Sequence, residues 1–311
     1  MRRREFLSGA AFARVGCAGG SSAPIERDEL VDIGGRRLHA RIWGSGAPVV
    51  VIDVGIGEAI EPWTPVITRL AAQTCVCAYE RAGYGTSDGG PLPRTAHDVT
   101  GDLRLLLQKL SLPPPYVLVG HSLGALHMMV LAAESPGLVG AVLVLDPPPR
   151  GFISGKRFHG LSQMAAQVTA EFQRRAKEAR EQNAIGKAVF FETLASEHEA
   201  MFSQSAAQVA RVLTFGELPL TVVASGVPNA RFGTDAEAFQ QFWIESSRQV
   251  AGLSRRGKFL VAEKSTHQIQ RDAPDLVARE ALQLVSACPK RGCGGAGNPQ
   301  EARGPAAQAV P

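Results

Sequence analysis

The chain has 311 residues, enough for one large domain or two ordinary ones, and its 45% hydrophobic and 20% charged composition is that of a soluble globular protein. No run of 18 apolar residues is present, which excludes a helical membrane span. The formal net charge of +4 comes from the two ends, through Arg2, Arg3, Arg4 and Arg14 and through Lys290, Arg291 and Arg303, so the body between them offers no nucleic-acid-binding surface.

Residues 1–28 read as a leader. "MRRREFLSGAAFARVGCAGG" resembles a twin-arginine export signal, because Arg3-Arg4-x-Phe6-Leu7 fits its core and a small-residue stretch follows. Arg14 interrupts that stretch and Ser8 stands where a basic residue is usual, so a basic leader without an export role, or a misassigned start codon, is the alternative. Cys17, after Val15-Gly16, sits where a degenerate lipoprotein cleavage site would place a lipid anchor. Export makes the protein periplasmic, secreted or lipid-anchored; otherwise it is cytoplasmic.

From residue 29 to 287, short β-branched runs alternate with longer helical patterns, which predicts an α/β fold around a mostly parallel sheet. The strands expected in chain order are "DELVDIG" as an edge, "RLHARIWG", "PVVVIDVG", "TCVCAYE", "PYVLVG", "AVLVLD", "LPLTVVASG" and "GKFLVAE". Several are continuous apolar runs, as expected where helices cover both sheet faces. The alternation stops after Asp146: residues 160–215 read as helix with no strand-like run, which predicts a helical cap, 150–216, inserted between two halves of the core, 29–149 and 217–287. The tail, 288–311, is rich in Gly, Ala and Pro and is expected to be disordered.

The five cysteines form no disulfide framework. Cys75 and Cys77 lie two apart on one face of a strand and read as buried, inert thiols, while Cys288 and Cys293 would pair only in an exported protein. No cluster has zinc-ligand spacing, so no metal is expected.

"PYVLVGHSLGALHMMVLAAE" carries the most chemistry. Gly120-x-Ser122-x-Gly124 lies between a strand-like and a helical run, where two glycines permit the tight turn that exposes a nucleophilic serine, and the helix N-terminus behind it stabilises developing negative charge. With "VGIG" (54–57), "YERAGYGTSD" (79–88) and "THQIQRDAPDLV" (266–277) in this order, the chain resembles the α/β-hydrolase family over about residues 29–287.

The resemblance implies an α/β-hydrolase fold with a Ser–His–acid triad and no cofactor. A serine needs an adjacent base, and His267, after the last strand, holds the family position. The acid usually follows the seventh strand, but Asn229 occupies that place, and an amide cannot supply the charge. Asp146 at the end of "VLVLD" is therefore the expected acid, with Asp235 as the competitor. The oxyanion donors are expected to be the backbone N–H groups of Ile56 and Leu123. Glu80 and Arg81 are expected to brace their loop, and His121 and His127 to be packing residues.

These residues imply a serine hydrolase acting on a small to medium, hydrophobic carboxylic ester, lactone or thioester; Ser122 at the elbow argues against the dehalogenases and epoxide hydrolases of this fold, which use Asp there. The apolar cap residues Phe152, Phe158, Met164, Phe172, Phe190, Phe191 and Met201 favour a hydrophobic substrate. A carbon–carbon hydrolase, a cofactor-free perhydrolase and a ligand-binding receptor on the same fold are the alternatives.

Overall fold

The computed structural model describes residues 23–149 and 158–288, which leaves Arg3, Arg4, Cys17, Phe152 and Cys293 outside the described residues. Its strands are β1 (Ile25–Asp32), β2 (Arg37–Trp43), β3 (Val49–Asp53), β4 (Val76–Tyr79), β5 (Tyr116–His121), β6 (Val139–Leu145), β7 (Leu220–Ser225) and β8 (Gly257–Ala262), joined in one sheet of order β1-β2-β4-β3-β5-β6-β7-β8. β2 runs antiparallel to both its neighbours, and every pairing from β4 to β8 is parallel. Each expected strand is present. The first begins earlier than the expected boundary at residue 29, because Ile25 already pairs with Trp43 on β2.

Period-2 alternation divides the apolar residues between two layers. Val49 and Val51 face the layer built by α2 (Ala96–Lys109), α3 (Leu123–Glu134) and α7 (Ala236–Ala251), while Val50 and Ile52 face α1 (Thr64–Ala71) and α9 (Pro274–Ala287). Each aliphatic side chain fully buried this way stabilises the fold by roughly 1.5–3 kcal/mol. α2 starts at Thr95, whose hydroxyl accepts from the Asp98 N–H while the Asp98 carboxylate accepts from the Thr95 N–H. Between β6 and β7 the described chain forms three helices, α4 (His159–Glu181), α5 (Ile185–Met201) and α6 (Gln204–Ala210), and a short α8 (Ile269–Asp272) precedes α9.

Cys75 and Cys77 are buried and free, on the sheet face covered by α2 and α3, and burial pushes the Cys77 thiol up to about 12. Cys288, expected at the start of a disordered tail, instead closes α9: its N–H donates to the Leu284 carbonyl at 2.9 Å and its buried thiol packs beneath Gly140.

The chain leaves β3 for β4 on one side and returns to β5 on the other, so the strand order reverses at β3. In such sheets the crevice for ligands opens beyond the carboxyl ends of the strands at the reversal. β3 ends there in the loop 54–58 and β5 in Ser122.

Candidate active site

Register brings the first two residues together. His121 pairs with Leu145, so the next residue on each strand, Ser122 and Asp146, emerges at the same sheet end, and the Ser122 N–H donates to the Leu145 carbonyl at 2.9 Å. Ser122 has φ +52° and ψ −120°, outside the regions a side chain ordinarily tolerates. Such a conformation costs about 1–3 kcal/mol and persists only where the surroundings enforce it. Here the glycines allow it: a Cβ on Gly120 would lie 2.5 Å from the Gly124 carbonyl oxygen, and one on Gly124 would strike the carbonyl of Asp53. Asp146 shares the strain, with φ +46°.

His267, between β8 and α8, completes a hydrogen-bonded row. Its Nε2 lies 3.0 Å from Ser122 Oγ and its Nδ1 2.6 Å from Asp146 Oδ2. A carboxylate only accepts, so Nδ1 carries the ring proton and Nε2 is left to accept from the serine hydroxyl. Asp146 is 2% exposed, and its two oxygens also take the Ser225 N–H at 2.7 Å and the Ser225 hydroxyl at 2.9 Å. Gln240 on α7 donates to the Ser225 carbonyl at 2.6 Å and to its hydroxyl at 3.1 Å, fixing that serine in turn. The end of β7, the usual home of the acid, thus holds the residue that orients an acid presented by β6.

Asn229 is engaged locally, its side chain accepting from the Arg231 N–H at 3.1 Å. Asp235 immediately precedes α7, and both His267 ring nitrogens are already occupied by Asp146 and Ser122. Of the two acids weighed from sequence, Asp146 is the one that meets the histidine.

Neither Ile56 nor Leu123 offers its N–H to any acceptor among the described residues. Leu123 is the first residue of α3, and Ile56 lies in a loop whose flanking N–H groups are both engaged. The Gly55 N–H donates to Glu58 Oε2 at 2.9 Å and the Gly57 N–H to the Tyr84 hydroxyl at 3.1 Å. Gly57 itself needs its φ of +68°.

Arg81 braces this loop from below. Its side chain is 1% exposed and donates to the carbonyls of Val54 at 2.7 Å and Gly55 at 3.0 Å, to Asp53 at 2.6 Å and to Glu197 of α5 at 3.0 Å. The Tyr84 hydroxyl donates to Glu197 at 2.5 Å, and His127 meets the other Asp53 oxygen at 2.7 Å. Breaking one arm of a buried charge network commonly costs about 3–5 kcal/mol because it strands the remaining charge. α5 is therefore fastened to the loop that carries Ile56. Glu80 braces as expected, taking the Thr86 N–H at 2.8 Å.

Sequence reasoning missed Ser225, Gln240, Glu58 and Glu197, whose partners Asp146, Ser225, His121 and Arg81 lie 15 to 116 residues away in sequence. Phe239 and Trp243 of α7 were missed as well: Trp243 sets its ring edge against the His267 ring, centroids 5.7 Å apart, and Phe239 packs against Trp243. Among the described residues there is no cluster of metal-ligating side chains, and no helix is long and apolar enough to cross a membrane.

Known proteins share this architecture. The chain is 25% identical over 235 residues to the uncharacterized protein YqjL of Bacillus subtilis, covering 75% of this chain and 82% of that one. A 2-(acetamidomethylene)succinate hydrolase of Mesorhizobium japonicum is 34% identical over 119 residues, 38% of this chain and 42% of the relative. Among solved structures, the enol-lactonase of Burkholderia xenovorans LB400 superposes with a TM-score of 0.58 at 20% identity, over 84% of this chain and all of that one. The model of the alpha/beta hydrolase family matches residues 38–280, and with that match over β3 to β8, the elbow and the histidine loop, the chain belongs to the alpha/beta hydrolase family.

Proposed function

We propose that the protein is a serine hydrolase that cleaves a small to medium, hydrophobic carboxylic ester, lactone or thioester through an acyl-enzyme. The observation that carries this reading is the unbroken row Ser122 Oγ, His267 Nε2, His267 Nδ1, Asp146 Oδ2, with steps of 3.0 and 2.6 Å, on a strained turn at the N-terminus of α3.

The chemistry follows from the donors and acceptors. Ser122 Oγ attacks the acyl carbon as His267 Nε2 takes its proton, and Asp146 holds the tautomer and stabilises the imidazolium. The carbonyl oxygen becomes an oxyanion, which the unclaimed N–H groups of Ile56 and Leu123 receive, aided by the N-terminal end of the α3 dipole. His267 then passes its proton from Nε2 to the departing alcohol. Water repeats the sequence on the acyl-enzyme and releases the acid. Helices α4, α5 and α6 serve as the cap over this cleft, and the aromatic residues near His267 favour an apolar acyl or alcohol group.

The test is turnover of p-nitrophenyl acetate and butyrate together with covalent labelling by a fluorophosphonate. Wild-type protein is expected to label once, at Ser122, and Ser122→Ala to lose both labelling and turnover. Folded wild-type protein that neither labels nor turns over either ester would refute the reading and favour a ligand-binding role for the same cleft.

A further inference from the structure

Beneath Ser122 lies a second histidine–carboxylate contact that the proton path above does not use. His121, the last residue of β5, is fully buried. Its Nε2 lies 2.8 Å from the main-chain carbonyl oxygen of His267, and its Nδ1 lies 3.1 Å from Glu58 Oε2. A carbonyl oxygen only accepts, so Nε2 must carry a proton. Glu58 Oε2 also takes the Gly55 N–H at 2.9 Å, and Gln270 Nε2 approaches Oε1 at 3.4 Å, so donors surround this carboxyl group and hold it ionised. Nδ1 must then donate as well.

We propose that Glu58 and His121 form a charged positioning pair, in which a permanent imidazolium ties the oxyanion loop and the main chain of His267 to the residue before the nucleophile. The proposal rests on the serine-hydrolase reading of Ser122 and His267. Neither Glu58 nor His121 touches substrate in it. Glu58 holds Gly55, next to the Ile56 N–H, and His121 holds the carbonyl of the residue whose ring must meet Ser122 and Asp146 together. A neutral imidazole has a single N–H and would have to release one of the two partners.

The groups that face His121 are Glu58 from the loop after β3, Trp63 from the turn before α1, Asp146 from the end of β6, and the His267 ring and carbonyl from the loop after β8. Burial opposes the charged ring, but the hydrogen bond and charge of Glu58, the His267 carbonyl and the Asp146 carboxylate outweigh it and raise the His121 pKa. Burial likewise pushes Glu58 up, yet His121, the Gly55 N–H and Gln268 bring it down to about 2.

Glu58→Gln separates charge from shape. Both the Gly55 N–H and His121 Nδ1 converge on one oxygen, Oε2, and an amide oxygen there can still accept from both through its two lone pairs, but it carries no charge to offset the burial of an imidazolium. The experiment follows the ring nitrogens of the seven histidines by NMR in full-length protein labelled with 15N-histidine. An ordinary histidine, with a pKa of about 6.5, is almost wholly neutral at pH 8. In wild-type protein the histidine whose signal vanishes in His121→Asn is expected to keep both ring protons at pH 8 and to become neutral in Glu58→Gln. In Glu58→Gln the kcat for p-nitrophenyl butyrate is expected to fall about tenfold with KM within about twofold, the signature of misplaced catalytic groups rather than a lost binding contact.

Wild-type protein that labels at Ser122 but shows the His121 ring neutral at pH 8 overturns the charged pair. So does Glu58→Gln with a kcat within about twofold of wild type. If His121→Asn does not fold, the Glu58→Gln spectrum identifies the signal alone. Wild-type protein that keeps the imidazolium but neither labels nor turns over ester overturns the positioning role through the failure of the serine-hydrolase reading, which the labelling makes distinguishable.

Discussion

Replacing Asp146 by asparagine tests the acid assignment with little change in shape. The aspartate accepts three hydrogen bonds, from His267 Nδ1, the Ser225 N–H and the Ser225 hydroxyl. Asparagine has one acceptor oxygen. The Ser225 N–H is main chain and cannot turn away, so the amide oxygen takes the Oδ1 place and the NH2 group takes the Oδ2 place, facing His267 and the Ser225 hydroxyl. The hydroxyl can rotate and accept. His267 Nδ1 must then also accept, which moves the ring proton to Nε2, opposite Ser122, where it blocks proton transfer. In serine proteases the same wrong tautomer lowers kcat by about four decades, or ~5 kcal/mol of barrier at about 1.36 kcal/mol per decade. The assay is kcat for p-nitrophenyl butyrate at pH 7.5, with circular dichroism showing that the variant is folded. Asp235→Asn is the control, expected to stay within about twofold because that residue has no place on the His267 ring. An Asp146→Asn enzyme that keeps more than about a tenth of its activity, or the reverse pattern in the two variants, would refute the assignment.

Two further outcomes follow from the same geometry. Since the donor proposed at Ile56 is its main-chain N–H, Ile56→Ala should leave kcat within about threefold, whereas Ile56→Pro, which removes that N–H, should lower it by about 100-fold or more in protein that still melts cooperatively; equal effects in the two would show that the side chain, not the amide, matters. On α5, burial lowers His198 to about 4, with its Nδ1 in a 2.8 Å hydrogen bond to Thr169 Oγ1. A base whose pKa falls on folding leaves the unfolded chain with more protons bound between pH 4 and 6.5, so this stability is complete above about pH 6.5 and declines as pH falls toward 4, by about 3 kcal/mol in all. Urea unfolding at pH 7.5, 5.5 and 4.0 should show a shallower acid decline in His198→Gln than in wild type, and parallel declines would count against the assignment.

Much of this protein is legible along its chain, because the relevant signals are local. Short β-branched runs mark all eight strands, several of them continuously apolar, and the glycines around Ser122 mark the elbow because only a residue without Cβ fits against Gly124 and Asp53 there. Even the displaced acid can be inferred, from an amide at Asn229 where a carboxylate is usual and a carboxylate at a strand end that prolines close. What tertiary structure alone decides is which distant groups share one proton or one charge. Ser225 and Gln240 orient Asp146 because β6 and β7 are neighbours, and Glu58 meets His121 because β3 lies beside β5. The Arg81–Glu197 pair joins residues 116 apart in sequence, and no periodicity or spacing announces it. Hydrogen-bond donors and acceptors act over about 3 Å, and separations of that kind are set by strand order and register rather than by the order of residues in the chain.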